Sequence, residues 1–161
     1  MDAVYTYINV LIDTLKKKRN VLEQILKVSE EQKNFLQNES FQEEVFRKTL
    51  NAKEGLLKEL ENLDVGFEQV YERVALAIKH NKDMYKTEVL QMQELIRSIM
   101  DLSVNIQSLE EQNKNRFPMC MSEQRSQIRN FKVSNRAATN YYKNMPNIHQ
   151  TGQSYFMDQK K

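Results

Sequence analysis

A chain of 161 residues with three glycines and two prolines fits a single domain and carries too little turn chemistry for a many-stranded fold, which excludes an all-β architecture. Apolar residues make up 40% and charged residues 29%, the balance of elongated amphipathic helices that expose much surface for each residue buried. The formal net charge of +2 is unevenly spread: residues 1–113 hold 15 Lys/Arg against 20 Asp/Glu, and residues 114–161 hold 9 against 2, a basic tail on an acidic body.

The single cysteine, Cys120, has no partner for an internal disulfide. No apolar run has the length of a membrane span. Met1-Asp2-Ala3-Val4 lacks a basic region of the signal-peptide kind, and Asp13 and Lys16 to Arg19 interrupt the one candidate apolar stretch. A cytoplasmic location is the expectation.

From Val4 to Leu36 apolar side chains recur at Ile8, Leu11, Leu15, Leu22, Ile25 and Leu36, a three-four spacing that predicts a helix with one buried stripe. Lys18, Ser29 and Gln32 fall on the same stripe, which predicts an imperfect, locally open seam. Gln37-Asn38-Glu39-Ser40 marks a break, with Ser40 as cap and Glu43 three residues on in a capping-box arrangement. The second helix is then expected to begin near Phe41. Its stripe runs through Val45, Phe46, Leu50, Leu57, Leu60, Leu63, Phe67, Val70, Tyr71, Val74 and Ile78. Gly55 and Gly66 lie inside it and predict a close helix approach or a local irregularity around Asp64-Val65-Gly66.

His80-Asn81-Lys82-Asp83 predicts a turn or bend before a third helix, whose heptad of Leu95, Ile99, Leu102, Ile106 and Leu109 continues to Asn113. The fold class expected is all-α: a long antiparallel three-helix bundle, coiled-coil-like, over residues 1–117, followed by a flexible basic tail over 118–161 that is partly disordered. Ile128, Phe131, Tyr141, Tyr142 and Phe156 are too thinly spaced there for a core. Ser134 is placed to cap a short helix through Tyr142, closed before Pro146.

The inventory of reactive groups is poor. His80 and His149 are the two imidazoles, neither stands in metal-ligand spacing with Cys120, and no phosphate-binding glycine-rich loop is present. No enzyme, metal, cofactor or small-molecule substrate is expected. Glu43-Glu44 and Glu110-Glu111 are neighbours in sequence, so on a helix they point about 100° apart and read as solvated faces. The tail's charge density is modest for nucleic acid. Tail aromatics that join no core read either as idle or as anchors for a groove.

Three stretches resemble the FlgN-type flagellar export chaperones. They are the Lys16-Lys17-Lys18-Arg19 segment of helix one, Ala52-Lys53-Glu54-Gly55-Leu56-Leu57-Lys58-Glu59-Leu60 leading to Leu63-Asp64-Val65-Gly66-Phe67, and the register from Leu102 to Glu110-Glu111-Gln112-Asn113. The resemblance covers roughly residues 5–117. The ending, with Asn140-Tyr141-Tyr142-Lys143-Asn144-Met145 and Ser154-Tyr155-Phe156-Met157, looks like that of clostridial relatives. FliT-type chaperones are similar as well. The resemblance implies a three-helix protein that binds helical C-termini of hook-associated proteins and delivers them to the flagellar type III export apparatus. It implies a partner site at Leu102, Ile106, Leu109, Asn113 and Phe117, with Tyr141, Tyr142 and Phe156 of the tail added as anchors. Two rivals stand beside it: a structural coiled coil that self-assembles, as a homodimer for instance, and an adaptor binding nucleic acid or a membrane surface through the tail.

Overall fold

The computed structural model describes residues 2–38, 41–123 and 136–143. Among them there are four helices and no strand: α1 Ala3–Gln37, α2 Glu43–His80, α3 Lys86–Glu123, and α4 over residues 136–143. At 1.5 Å per residue the 38-residue α2 and α3 each reach about 57 Å. The three long helices pack together as a bundle, with α1 lying along both α2 and α3.

Each end has a local cause. Asp2 caps α1 by accepting a hydrogen bond from the Val4 amide at 3.0 Å, which satisfies one of the orphan donors of a helix N-terminus. The cap of α2 is Gln42, with no side-chain bond, so the second helix starts two residues later than expected. Ser40 lies outside the described residues. Glu43 and Glu44 in its first turn and Lys79 and His80 in its last are matched to the helix dipole. The predicted turn is present at residues 81–85, where the Met84 and Tyr85 amides bond the Asn81 carbonyl.

Register is written in cross-helix pairs. Along α1, residues 7, 18 and 32 meet residues 73, 64 and 49 of α2, whereas residues 5, 29 and 36 meet residues 88, 110 and 116 of α3. At the near end the Tyr85 hydroxyl donates to Asp2 at 2.6 Å and the Tyr5 hydroxyl to Glu88 at 2.7 Å.

Two expectations about irregularity are corrected. Helix α2 runs through Gly55 and Gly66 without a break, and a Cβ at either would meet nothing within 4 Å. Neither a close approach nor a special backbone conformation requires these glycines. Helix α3 continues past the boundary expected at Phe117-Pro118 as far as Glu123. Pro118 lacks an N–H and costs about 3 kcal/mol in a helix interior, but it faces outward while Phe117, Cys120 and Met121 are buried.

The apolar interior is divided in two. A long cluster follows α1 from Ile8 to Ile25 with α2 from Leu60 to Ile78 and α3 from Met92 to Ile106. A second gathers Leu36, Phe41, Phe46, Leu50, Phe117, Cys120 and Met121 with Ala138, Tyr141 and Tyr142 of α4. The tail's sequence predicts too few apolar residues for a core. That is corrected for 136–143, whose three buried apolar side chains, Ala138, Tyr141 and Tyr142, complete a core built by the other helices. The expected disorder of the rest of the tail, and the roles given to Ser134, Pro146 and Phe156, lie outside the described residues.

Candidate functional site

Between the two apolar clusters the stripes turn polar on all three long helices at one level. Ser29 and Gln32 occupy the inner face of α1, Thr49 and Lys53 that of α2, and Glu110 and Asn113 that of α3, all 9% exposed or less. Each pair is spaced by three or four residues, so the same helical period that aligns the apolar stripe brings these groups inward.

They satisfy one another. Ser29 Oγ donates to Glu110 Oε1 at 2.6 Å, and Asn113 Nδ2 donates to the Ser29 carbonyl at 3.0 Å. Gln32 Nε2 donates to Thr49 Oγ1 at 2.9 Å, and the threonine hydroxyl in turn donates to the Phe46 carbonyl. Lys53 Nζ stands at the centre, donating to Gln32 Oε1 at 2.6 Å and forming an ion pair with Glu110 Oε1. Both members of that pair are fully buried. Burial lowers the Lys53 pKa from 10.5 to about 8 although the Glu110 carboxylate opposes the shift. A second buried pair, Lys18 with Asp64 at 2.8 Å, sits within the long cluster.

The seam expected to be open at Lys18, Ser29 and Gln32 is therefore closed by polar partners on α2 and α3. The reading of the adjacent carboxylates as solvated faces is corrected for Glu110, and also for Glu43, which is 7% exposed and paired with Arg47. Glu44 and Glu111 are exposed as expected.

Beyond the polar layer lies the seat of α4. Phe46 and Phe117 stack with centroids 5.2 Å apart, Phe41 tilts on Phe46 at 5.6 Å, and Arg116 Nε donates to the Leu36 carbonyl at 3.2 Å, tying the ends of α1 and α3. Helix α4 lays Ala138, Tyr141 and Tyr142 onto this surface, 1%, 2% and 9% exposed. The Tyr141 ring lies over the Lys53 ammonium, 4.5 Å from nitrogen to centroid, and meets Tyr142 edge-on at 5.2 Å. Burial and the Glu110 carboxylate push both phenols far above their ordinary pKa. The Tyr141 hydroxyl reaches the Glu110 carboxylate, which raises it both as a charge and as a hydrogen-bond partner, whereas the Tyr142 hydroxyl is buried with no hydrogen-bond partner among the described residues.

Of the residues expected to meet a partner, Ile106, Leu109, Asn113, Phe117, Tyr141 and Tyr142 are buried and Leu102 is half-buried. Leu109, 9% exposed, borders an open groove between α1 and α3 with Leu26, Glu30 and Ser108. Leu102 and Ile106 belong to the long cluster, Phe117, Tyr141 and Tyr142 to the second, and Asn113 to the polar layer between them. The structure brings Phe117, Tyr141 and Tyr142 together and leaves Leu102 and Ile106 away from them. Sequence reasoning missed Thr49, Lys53 and Glu110. The signal was present in the polar residues on the α1 stripe, since a buried Ser and Gln demand partners at their own level on the facing helices.

His80 is exposed at the end of α2. Burial pushes the Cys120 thiol up, away from a reactive thiolate. Among the described residues no cluster of three His, Cys, Asp or Glu side chains is arranged to hold a metal, and no helix is long and apolar enough to cross a membrane. Comparison with protein-family models, with curated proteins and with solved structures gives no match.

Proposed function

We propose that this protein is a cytoplasmic, non-enzymatic chaperone of the FlgN type. In this reading it is an antiparallel, coiled-coil-like three-helix bundle that holds helical C-termini of hook-associated proteins and hands them to the flagellar type III export apparatus. The observation that carries the reading is the seat itself. The ends of α1 and α3 and the start of α2 together accept a short amphipathic helix, burying Ala138, Tyr141 and Tyr142 of α4. A groove that takes one amphipathic helix has the shape and apolar character for helix-in-groove capture of another. Phe117 and Asn113 then stand at the client, while Leu102, Ile106 and Leu109 form the scaffold of α3 behind it.

Hiding an aggregation-prone client segment needs no covalent chemistry, and affinity comes from apolar burial at about 25 cal/mol per Å², less the cost of ordering the client. Calorimetry of the full chain against C-terminal fragments of hook-associated proteins tests the reading. A one-to-one complex with Kd on the order of micromolar or tighter is expected. Absence of heat and of a co-eluting complex for every fragment would overturn it.

A further inference from the structure

The seat of α4 is more than an apolar trough, because a cation and a carboxylate stand at its floor. Lys53 Nζ has three directions in which to donate. Two are filled by Gln32 Oε1 and Glu110, and the third is covered by the face of Tyr141. An ammonium that is fully buried gains from an aromatic face and loses against an aliphatic one, since hydrocarbon returns nothing for the lost hydration. Beside it Glu110 Oε2 is buried and takes no donor from α1, α2 or α3, and the hydroxyl of Tyr141 is the group that reaches this carboxylate, with the Tyr142 hydroxyl buried nearby. The floor thus offers one surface for a ring and one acceptor for a hydroxyl at the end of that ring. Ala138, three residues before Tyr141 and 1% exposed, shows that the neighbouring turn of a seated helix must be small.

We infer that the distal seat selects its occupant by a buried tyrosine: the preferred partner is an amphipathic helix carrying Tyr over Lys53 with its hydroxyl toward Glu110, and a small residue three positions earlier. This rests on the reading of the seat as a helix-binding groove and adds the chemistry by which it chooses. A merely apolar groove ranks ligands by hydrophobic area and accepts leucine as readily as tyrosine. A groove floored by a caged cation and a carboxylate oxygen ranks tyrosine above phenylalanine, and phenylalanine above leucine.

The test uses the full chain carrying Tyr141→Ser and Tyr142→Ser, which empties the seat, and labelled peptides with the sequence of residues 134–145. The peptides hold Tyr, Phe or Leu at the position of Tyr141. Fluorescence anisotropy should give binding roughly tenfold or more weaker for the Leu peptide than for the Tyr peptide, with Phe between. Lys53→Met in the same chain should compress the gap between Tyr and Leu to less than about threefold. Should either variant lose its helical spectrum, the same ranking is read on the unaltered chain, where the peptides compete with α4. Equal or tighter binding of the Leu peptide overturns the inference, as does failure of all three to bind.

The two readings fail separately. Hook-associated fragments that bind with no need for a tyrosine remove the selection rule and leave the chaperone. A tyrosine ranking without any binding of those fragments removes the client and leaves the rule.

Discussion

Replacing Lys53 by methionine while Glu110 stays in place leaves a carboxylate at 0% exposure without its cation. Breaking a buried pair from one side costs about 3–5 kcal/mol. The same change also removes the donor to Gln32 Oε1 and the cation under Tyr141, so the upper part of that range is expected. Glu110→Leu attacks the pair from the other side, and its cost has a ceiling. A Lys53 deprived of its partner can release its proton, and doing so at pH 7 from an ordinary value of 10.5 costs about 5 kcal/mol at about 1.4 kcal/mol per unit. In the double variant Lys53→Met with Glu110→Leu no charge is left to desolvate. Ser29 and Gln32 lose partners, at about 1–3 kcal/mol for each unsatisfied group. The double variant should therefore be several kcal/mol more stable than the sum of two single losses, a coupling of at least about 2 kcal/mol. Urea unfolding followed by circular dichroism measures it, with each single variant melting roughly 10 °C or more below the parent. A coupling below about 0.5 kcal/mol would mean that the two groups do not meet in the folded chain, and the polar layer as described would fall with it.

Gly66→Ala should stabilise the protein by up to about 1 kcal/mol, since Gly66 is mid-helix and a Cβ there meets nothing within 4 Å. A lower melting temperature for this variant would show that α2 is interrupted there. The pH dependence has a defined sign. Lys53 is at about 8 folded and 10.5 unfolded, so between these values the unfolded chain binds more protons and stability rises with pH as the buried charge is relieved. Above about pH 10 the raised phenols of Tyr141 and Tyr142 act oppositely, because the unfolded chain then loses protons first. Unfolding free energies between pH 7.5 and 9.5 should climb more for the parent than for Lys53→Met, within a window set by roughly those two Lys53 values; parallel curves would refute a buried lysine.

The sequence by itself determined the helices. Apolar residues at three-four spacing from Ile8 to Leu36, from Phe46 to Ile78 and through Leu95 to Leu109 have one economical solution, a helix burying one stripe, and all three long helices are present. The turn at residues 81–85 was equally legible, because His80-Asn81-Lys82-Asp83 offers the stripe nothing to continue with. Periodicity reports which side of a helix faces inward, not which residue of another helix it will face. Lys18, Ser29 and Gln32 therefore looked like defects in a seam until Asp64, Glu110, Thr49 and Lys53 arrived opposite them. The tail shows the same limit from the other direction. Ala138, Tyr141 and Tyr142 are too few to make a core, and local reading could give them only the choice between idleness and an unknown groove. Three helices whose ends converge about Leu36, Phe46 and Phe117 supply the rest of that core and set a buried cation beneath the ring of Tyr141. Burial of a charge is a property of the surroundings, and those of Lys53 reach as far along the chain as Tyr141, 88 positions on, so only the tertiary structure could decide it.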